Sequence, residues 1–119
     1  MPTARPMPDF EAGDIVRAPF PYTDRDTTQH RPALVVSNGG IGPVGTLLWV
    51  VMITSAENRR WPGDVPLIDD HLTCGLPVPS LVRPMKIATI DANRVDRLGR
   101  VSSDKLAIVD GVLRAQFIR

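Results

Sequence analysis

The sequence predicts an α+β fold, mainly β: a small curled antiparallel sheet, closing toward a half-open barrel and covered by one C-terminal helix. Two observations carry this. Five or six runs of strand length, separated by turn formers, occupy residues 14–91, and only the last stretch of the chain changes to a helical period. Strands that all precede a single helix argue for α+β, and a sheet this small closes most naturally as a partial barrel. The 119 residues suffice for one domain, and a 43% hydrophobic share supports a real core. Residues 1–12, with Pro2, Pro6 and Pro8 and no periodicity, are expected to form a flexible N-terminal arm, and residues 13–119 a single domain.

The elements follow in order. "GDIVRAPF" alternates apolar and polar residues from Asp14 to Phe20, the pattern of a strand with one wet face. "PYTDRDTTQH", 21–30, is polar and long for a loop in a small domain, and such loops are often functional. "RPALVVS", 31–37, is the second strand, and "NGGIGPVG", 38–45, is a glycine-rich turn. "TLLWVVMITS", 46–55, is the most apolar strand and is expected to be covered on both faces. "AENRRWPG", 56–63, is a second polar loop. "DVPLID", 64–69, reads as a short edge strand, because Pro66 has no N–H for a ladder. "DHLTCGLPVP", 70–79, is irregular. "SLVRPMKIATID", 80–91, reads as a strand kinked at Pro84, and "ANRVDRLGRV", 92–101, as a turn.

"SSDKLAIVDGVLRAQF", 102–117, is the one clear helix. Ser102 suits its N-cap, and Asp104 places a negative charge in the first turn. Leu106, Val109, Leu113 and Phe117 fall on one face. Gly111 in its middle costs about 1 kcal/mol relative to Ala, unless close packing requires it.

The charge balance, 14 basic against 13 acidic residues, excludes a nucleic-acid binder that is basic over its whole surface but leaves room for a local patch. Only Lys86 and Lys105 among the basic residues are lysines. The rest are arginines, whose planar fork meets phosphate in a bidentate manner, although an arginine-rich genomic composition explains this equally well. Cys74 is the sole cysteine, so an internal disulfide and a thiolate zinc cluster are excluded. Asp69, Asp70 and His71 are consecutive and cannot easily converge on one ion, so an exposed turn is the better reading and no metal or cofactor is expected. The longest apolar run, 47–53, is too short to span a bilayer, and "MPTARPMPDF" lacks a signal peptide's apolar stretch. A soluble cytoplasmic protein with no membrane partner is expected.

If the strands on either side of the glycine-rich turn pair with Asn38 facing Thr46, Arg31 faces Ile53 and Thr54 is its diagonal neighbour. The strand interiors are apolar, so Arg31, Thr54 and Ser55 gather at one end of a buried hairpin. The loops 21–30 and 56–63 emerge at that same end. A rigid strand end ringed by loops can hold a fixed cation and a hydroxyl. A solvated rim arginine is the plainer reading of the same geometry.

The set "GDIVRAPFPYTD…HRPALVVS", then an apolar strand ending "ITS", then "VRPMKIATID", resembles the MazF/PemK ribonuclease toxins of type II toxin–antitoxin systems. The resemblance runs from Gly13 to about Phe117. It implies a small SH3-like antiparallel barrel with a C-terminal helix. It implies a homodimer that cleaves single-stranded RNA (mRNA) without a metal and is blocked by a cognate antitoxin. The family's arginine in its RPA motif falls on Arg31, and its threonine at the end of the apolar strand on Thr54. An arginine shortly before TID, used by some members, falls on Arg83. Where many members carry an acidic residue, this chain has Met85, so a carboxylate cannot assist there.

RNA cleaves itself when its 2′-hydroxyl attacks the adjacent phosphorus. A catalyst must align the atoms, stabilise charge on the phosphate and protonate the leaving 5′-oxygen. Arg31 suits charge stabilisation, and Thr54 can orient a phosphate oxygen or the 2′-hydroxyl. Arg83, Ser55 and His30 are further candidates for catalysis or phosphate binding. Adjacent strand residues face opposite sides, so His30 joins Arg31 only if the chain departs from strand geometry. Arg59, Arg60 and Trp61, with Arg25 and Lys86, are candidate RNA-binding residues. Trp61 either stacks on a base or caps the edge of the core. Two other functions suit a toxin of this fold: one that binds and poisons a protein target such as a topoisomerase, or a degenerate member that represses DNA with its antitoxin.

Overall fold

Six strands form one antiparallel sheet. They are β1 (Asp14–Pro21), β2 (Thr28–Val35), β3 (Leu47–Ser55), β4 (Val65–Leu67), β5 (Ser80–Asp91) and β6 (Asp96–Arg100), in the spatial order β4-β5-β3-β2-β1-β6. One helix follows, α1 (Ser103–Ala115). The computed structural model describes residues 9–21 and 28–119. The mainly β class, the single C-terminal helix and the curled antiparallel sheet are as the sequence predicts.

Both faces of the sheet contribute buried side chains. Ile15, Leu34, Val51, Ile53 and Val82 pack beneath α1 with Val109 of the helix. Val16, Ala18, Ala33, Val35 and Val50 form a second cluster on the opposite face. Neighbours such as Leu34 and Val35, or Val50 and Val51, therefore serve different clusters, as strand alternation requires. The short helix covers the first face only. Curling of the sheet encloses the second, together with Ala92, Val95 and Phe10. Phe10 lies in the stretch expected to be a loose arm, yet it is buried. Residues 1–8 of that arm lie outside the described residues.

Four details depart from the expected elements. β2 begins at Thr28, because its pairing with β1 continues from Leu34 opposite Ile15 to Thr28 opposite Pro21. Ala33 pairs with Met52, one residue away from the expected register. The cause lies near the turn, where Val36 and Ser37 both donate to the Trp49 carbonyl, at 2.9 and 3.4 Å. Two residues set against one form a bulge, and the ladder beyond it is displaced. β6 replaces part of the expected turn at 92–101, after a short 3₁₀ turn at Ala92–Arg94. The last is Phe117, which lies past the helix end and is 73% exposed, whereas Leu106 and Leu113 pack against the core as expected.

β6 is held by charge. Asp14 is buried and accepts from Arg97 Nη2 at 2.9 Å, Arg100 Nη1 at 2.8 Å and the Glu11 N–H at 2.8 Å. Burial alone would raise its carboxyl pKa, but these hydrogen bonds and the Arg97 charge together hold it below the usual carboxylate range.

The kink expected at Pro84 is present. Val51 faces Ile87 while Met52 faces Arg83, so residues 84–86 bulge out of β5 at the residue that lacks an N–H. Ser102 caps α1, its Oγ accepting the Lys105 N–H at 3.2 Å. Lys105 Nζ donates to the Pro66 carbonyl at 2.7 Å and fastens the helix to β4. Among the described residues, no helix is long and apolar enough to cross a membrane.

Candidate functional site

β2 and β3 part company at Pro32. Their pairing runs from Val35 to Ala33 and stops there, while β2 stays paired with β1 down to Thr28. Pro32 has no N–H to offer β3, and the two strand ends separate beyond it. The gap is a cleft of about 370 Å³. Arg31 and Pro32 of β2 line one side, and Ile53, Thr54 and Ser55 of β3 the other. Continuing the observed register would set Arg31 level with Thr54. The segment from Gly75 to Val78 forms a further wall. Gly75 has a positive φ of 84°, and a Cβ there would collide with the Leu98 carbonyl, so only glycine lets this wall pass so close to β6.

The cleft gathers Arg31, Thr54, Ser55 and His30, four of the residues singled out from the sequence. His30 sits in regular strand pairing with Pro19. It nevertheless borders the same cleft as Arg31, because the opening between the strands reaches both faces of β2. Arg17 also lines the cleft and was not foreseen, although its polar place in the alternation of β1 marks it. Arg17 and Arg31 bring basic side chains to this cleft, and among the described residues no acidic side chain lines it. Arg31 Nη1 donates to Gln29 Oε1 at 3.3 Å. Thr54 is buried, with its Oγ1 accepting from Asn58 Nδ2 at 2.6 Å. Ser55 Oγ accepts the Glu57 N–H at 3.2 Å.

A second group lies apart from these. Arg83 is buried, and its Nη2 donates to Asp64 Oδ2 at 2.9 Å and to the Arg59 carbonyl at 2.8 Å. Its guanidinium stacks on the Trp61 ring at 4.2 Å. Lys86 Nζ approaches the same ring at 5.3 Å. Arg83 is thus placed to hold the 56–64 loop, and it does not line the Arg31 cleft. Arg59, Arg60 and Trp61 border a separate groove of about 680 Å³ with Met85. Both Arg59 and Arg60 are exposed, and Trp61 is half-buried. Arg25 lies outside the described residues. Among the described residues, no three His, Cys, Asp or Glu side chains are grouped to hold a metal ion. Cys74 is buried, and desolvation, with Asp70 nearby, raises its thiol pKa, so it offers no ready nucleophile.

A cleft with two arginines and a buried hydroxyl suits a phosphodiester. A guanidinium can meet two phosphate oxygens at once, and a hydroxyl can donate to a third.

Residues 11–117 match the family described as PemK-like, MazF-like toxin of type II toxin-antitoxin system. The fold is similar to that of MazF from Deinococcus radiodurans, with a TM-score of 0.72 and 27% identity over 92% of this chain and 96% of that one. A MazE–MazF complex from the same organism gives 0.68 and 27%, covering 92% and 95% of the two chains. An endoribonuclease in complex with its cognate antitoxin, from a mycobacterial species, shares the fold at 0.66 and 20% identity, covering 90% and 93%. No curated protein sequence matches the chain.

Proposed function

Because the chain belongs to the PemK-like, MazF-like toxin family of type II toxin–antitoxin systems, we propose that it is an endoribonuclease that cuts single-stranded RNA at the cleft between the ends of β2 and β3. The observation that carries the proposal is that Arg31, Arg17 and the buried hydroxyl of Thr54 line one cleft. An RNA strand brings its own nucleophile. The 2′-oxygen forms a bond to phosphorus, the bond to the 5′-oxygen breaks, and the products are a 2′,3′-cyclic phosphate and a 5′-hydroxyl. Arg31 neutralises the charge that builds on the non-bridging oxygens, and the Thr54 hydroxyl donates to one of them. Arg17 adds attraction for the backbone. His30, at the cleft margin, carries ring nitrogens that can donate or accept a proton. Arg59, Arg60 and Trp61, with Lys86 over the indole, offer a flanking surface where bases can stack beside cations.

Two partners complete the proposal. A cognate antitoxin covers the cleft, in keeping with the MazE–MazF complexes among the structural relatives. A second copy of the chain covers the apolar groove lined by Trp49, Pro84, Met85, Ile87, Leu113 and Phe117. Among the described residues, no charged side chain lines that groove. A two-fold contact sets such groups near their own copies, so a face without charge suits self-pairing.

The test is incubation of the purified protein with a long unstructured RNA, with and without excess EDTA. Cleavage should persist in EDTA and leave cyclic-phosphate ends. Loss of cleavage in EDTA with rescue by Mg²⁺ would contradict the proposed chemistry.

A further inference from the structure

Thr54 is held by a residue that the sequence does not announce. Asn58 Nδ2 donates to Thr54 Oγ1 at 2.6 Å. The chain turns back at this point because Ser55 closes it from two sides. The Ser55 carbonyl accepts the Asn58 N–H at 3.1 Å, and its Oγ accepts the Glu57 N–H at 3.2 Å. These bonds fold Asn58 over the end of β3. Just beyond it, the Arg59 carbonyl is fixed by Arg83. The backbone on both sides of Asn58 is therefore secured without the Asn58 side chain.

This contact has a chemical consequence. A hydroxyl carries one proton and two lone pairs. With the Asn58 amide donating to one lone pair, the Thr54 proton must point elsewhere. We infer that Asn58 is a positioning residue that presents the Thr54 hydroxyl to the cleft as a hydrogen-bond donor for a phosphate oxygen of the RNA. The inference rests on the ribonuclease reading above and adds to it what keeps the threonine proton aimed. Without Asn58, a threonine hydroxyl at a strand end can turn back onto nearby backbone carbonyls.

A double-mutant cycle tests this, with single-turnover rate at saturating RNA, RNA affinity and melting temperature measured for each variant. Asn58→Ala should lower the saturating rate about tenfold, as expected when one aimed hydrogen bond is lost in the transition state. RNA affinity should change by less than about twofold, because Asn58 acts through Thr54 and not on the RNA. In the Thr54→Ala background, Asn58→Ala should have no further effect on rate. Asn58→Asp should be worse than Asn58→Ala, because a carboxylate only accepts and draws the Thr54 proton to itself. Equal losses in both backgrounds would overturn the positioning role, as would full activity of Asn58→Ala. If Thr54→Ala alone cleaves like the wild type, the ribonuclease site itself is misassigned, and the role of Asn58 falls with it.

Discussion

Arg83 and Arg31 are the same side chain in different settings. Arg83 is enclosed, with Asp64, the Arg59 carbonyl and the Trp61 face around its guanidinium. Arg31 is half-buried and opens onto the cleft. The sequence reading treats both as candidates for phosphate, because the partner that encloses Arg83 stands 19 residues away and leaves no local signature. Asp14 is the other buried charge whose partners are remote. Its folded pKa lies below its unfolded one, so the stability it adds is present above the unfolded value and is lost as pH falls through the folded one. Asp14→Asn should therefore destabilise the protein at neutral pH. The gap between wild type and variant, read from urea midpoints, should close as pH drops through the acid range. A gap that stays constant down to the lowest pH would show that Asp14 contributes through packing and not through its charge.

At the scale of elements, legibility follows the distance over which each element is determined. α1 is readable because its cap, its charge and its apolar spacing are all local: Ser102 caps it, and Val109 is buried where the pattern places it. β6 was not readable. Its residues, DRLGR, include none that is fully buried, and it is held to β1 by Arg97 and Arg100 on Asp14. The site is legible in part for the same reason. Pro32 beside Arg31 signals a strand end, but the register that brings Arg31 level with Thr54 depends on the bulge at Val36 and Ser37. Gly111 is a further local case. A Cβ added there would meet nothing within 4 Å, so close packing does not explain this glycine. Gly111→Ala should stabilise the protein by about 0.5–1 kcal/mol, seen as a melting temperature a few degrees higher. An unchanged or lower melting temperature would show that the exposed helix face has a role of its own.

In the proposed function, the whole molecule is a dimer in which each copy carries a cleft. Ile87 is 53% and Trp49 49% exposed on the apolar groove, large side chains that a solitary chain leaves in water. Ile87→Glu should set two carboxylates near the two-fold axis and shift the protein to monomer in sedimentation experiments at micromolar concentration. Wild type sedimenting as a monomer would contradict the dimer. The claim that matters most is that the cleft at the parted ends of β2 and β3 cuts RNA through Arg31. The most direct measurement is the single-turnover rate on unstructured RNA in EDTA for wild type, Arg31→Ala and Arg31→Lys, each confirmed as folded by its melting temperature. The account predicts a loss on the order of 10²–10³ for Arg31→Ala, with little recovery in Arg31→Lys, because an ammonium cannot fork onto two oxygens. A folded Arg31→Ala variant that cleaves at the wild-type rate would contradict it.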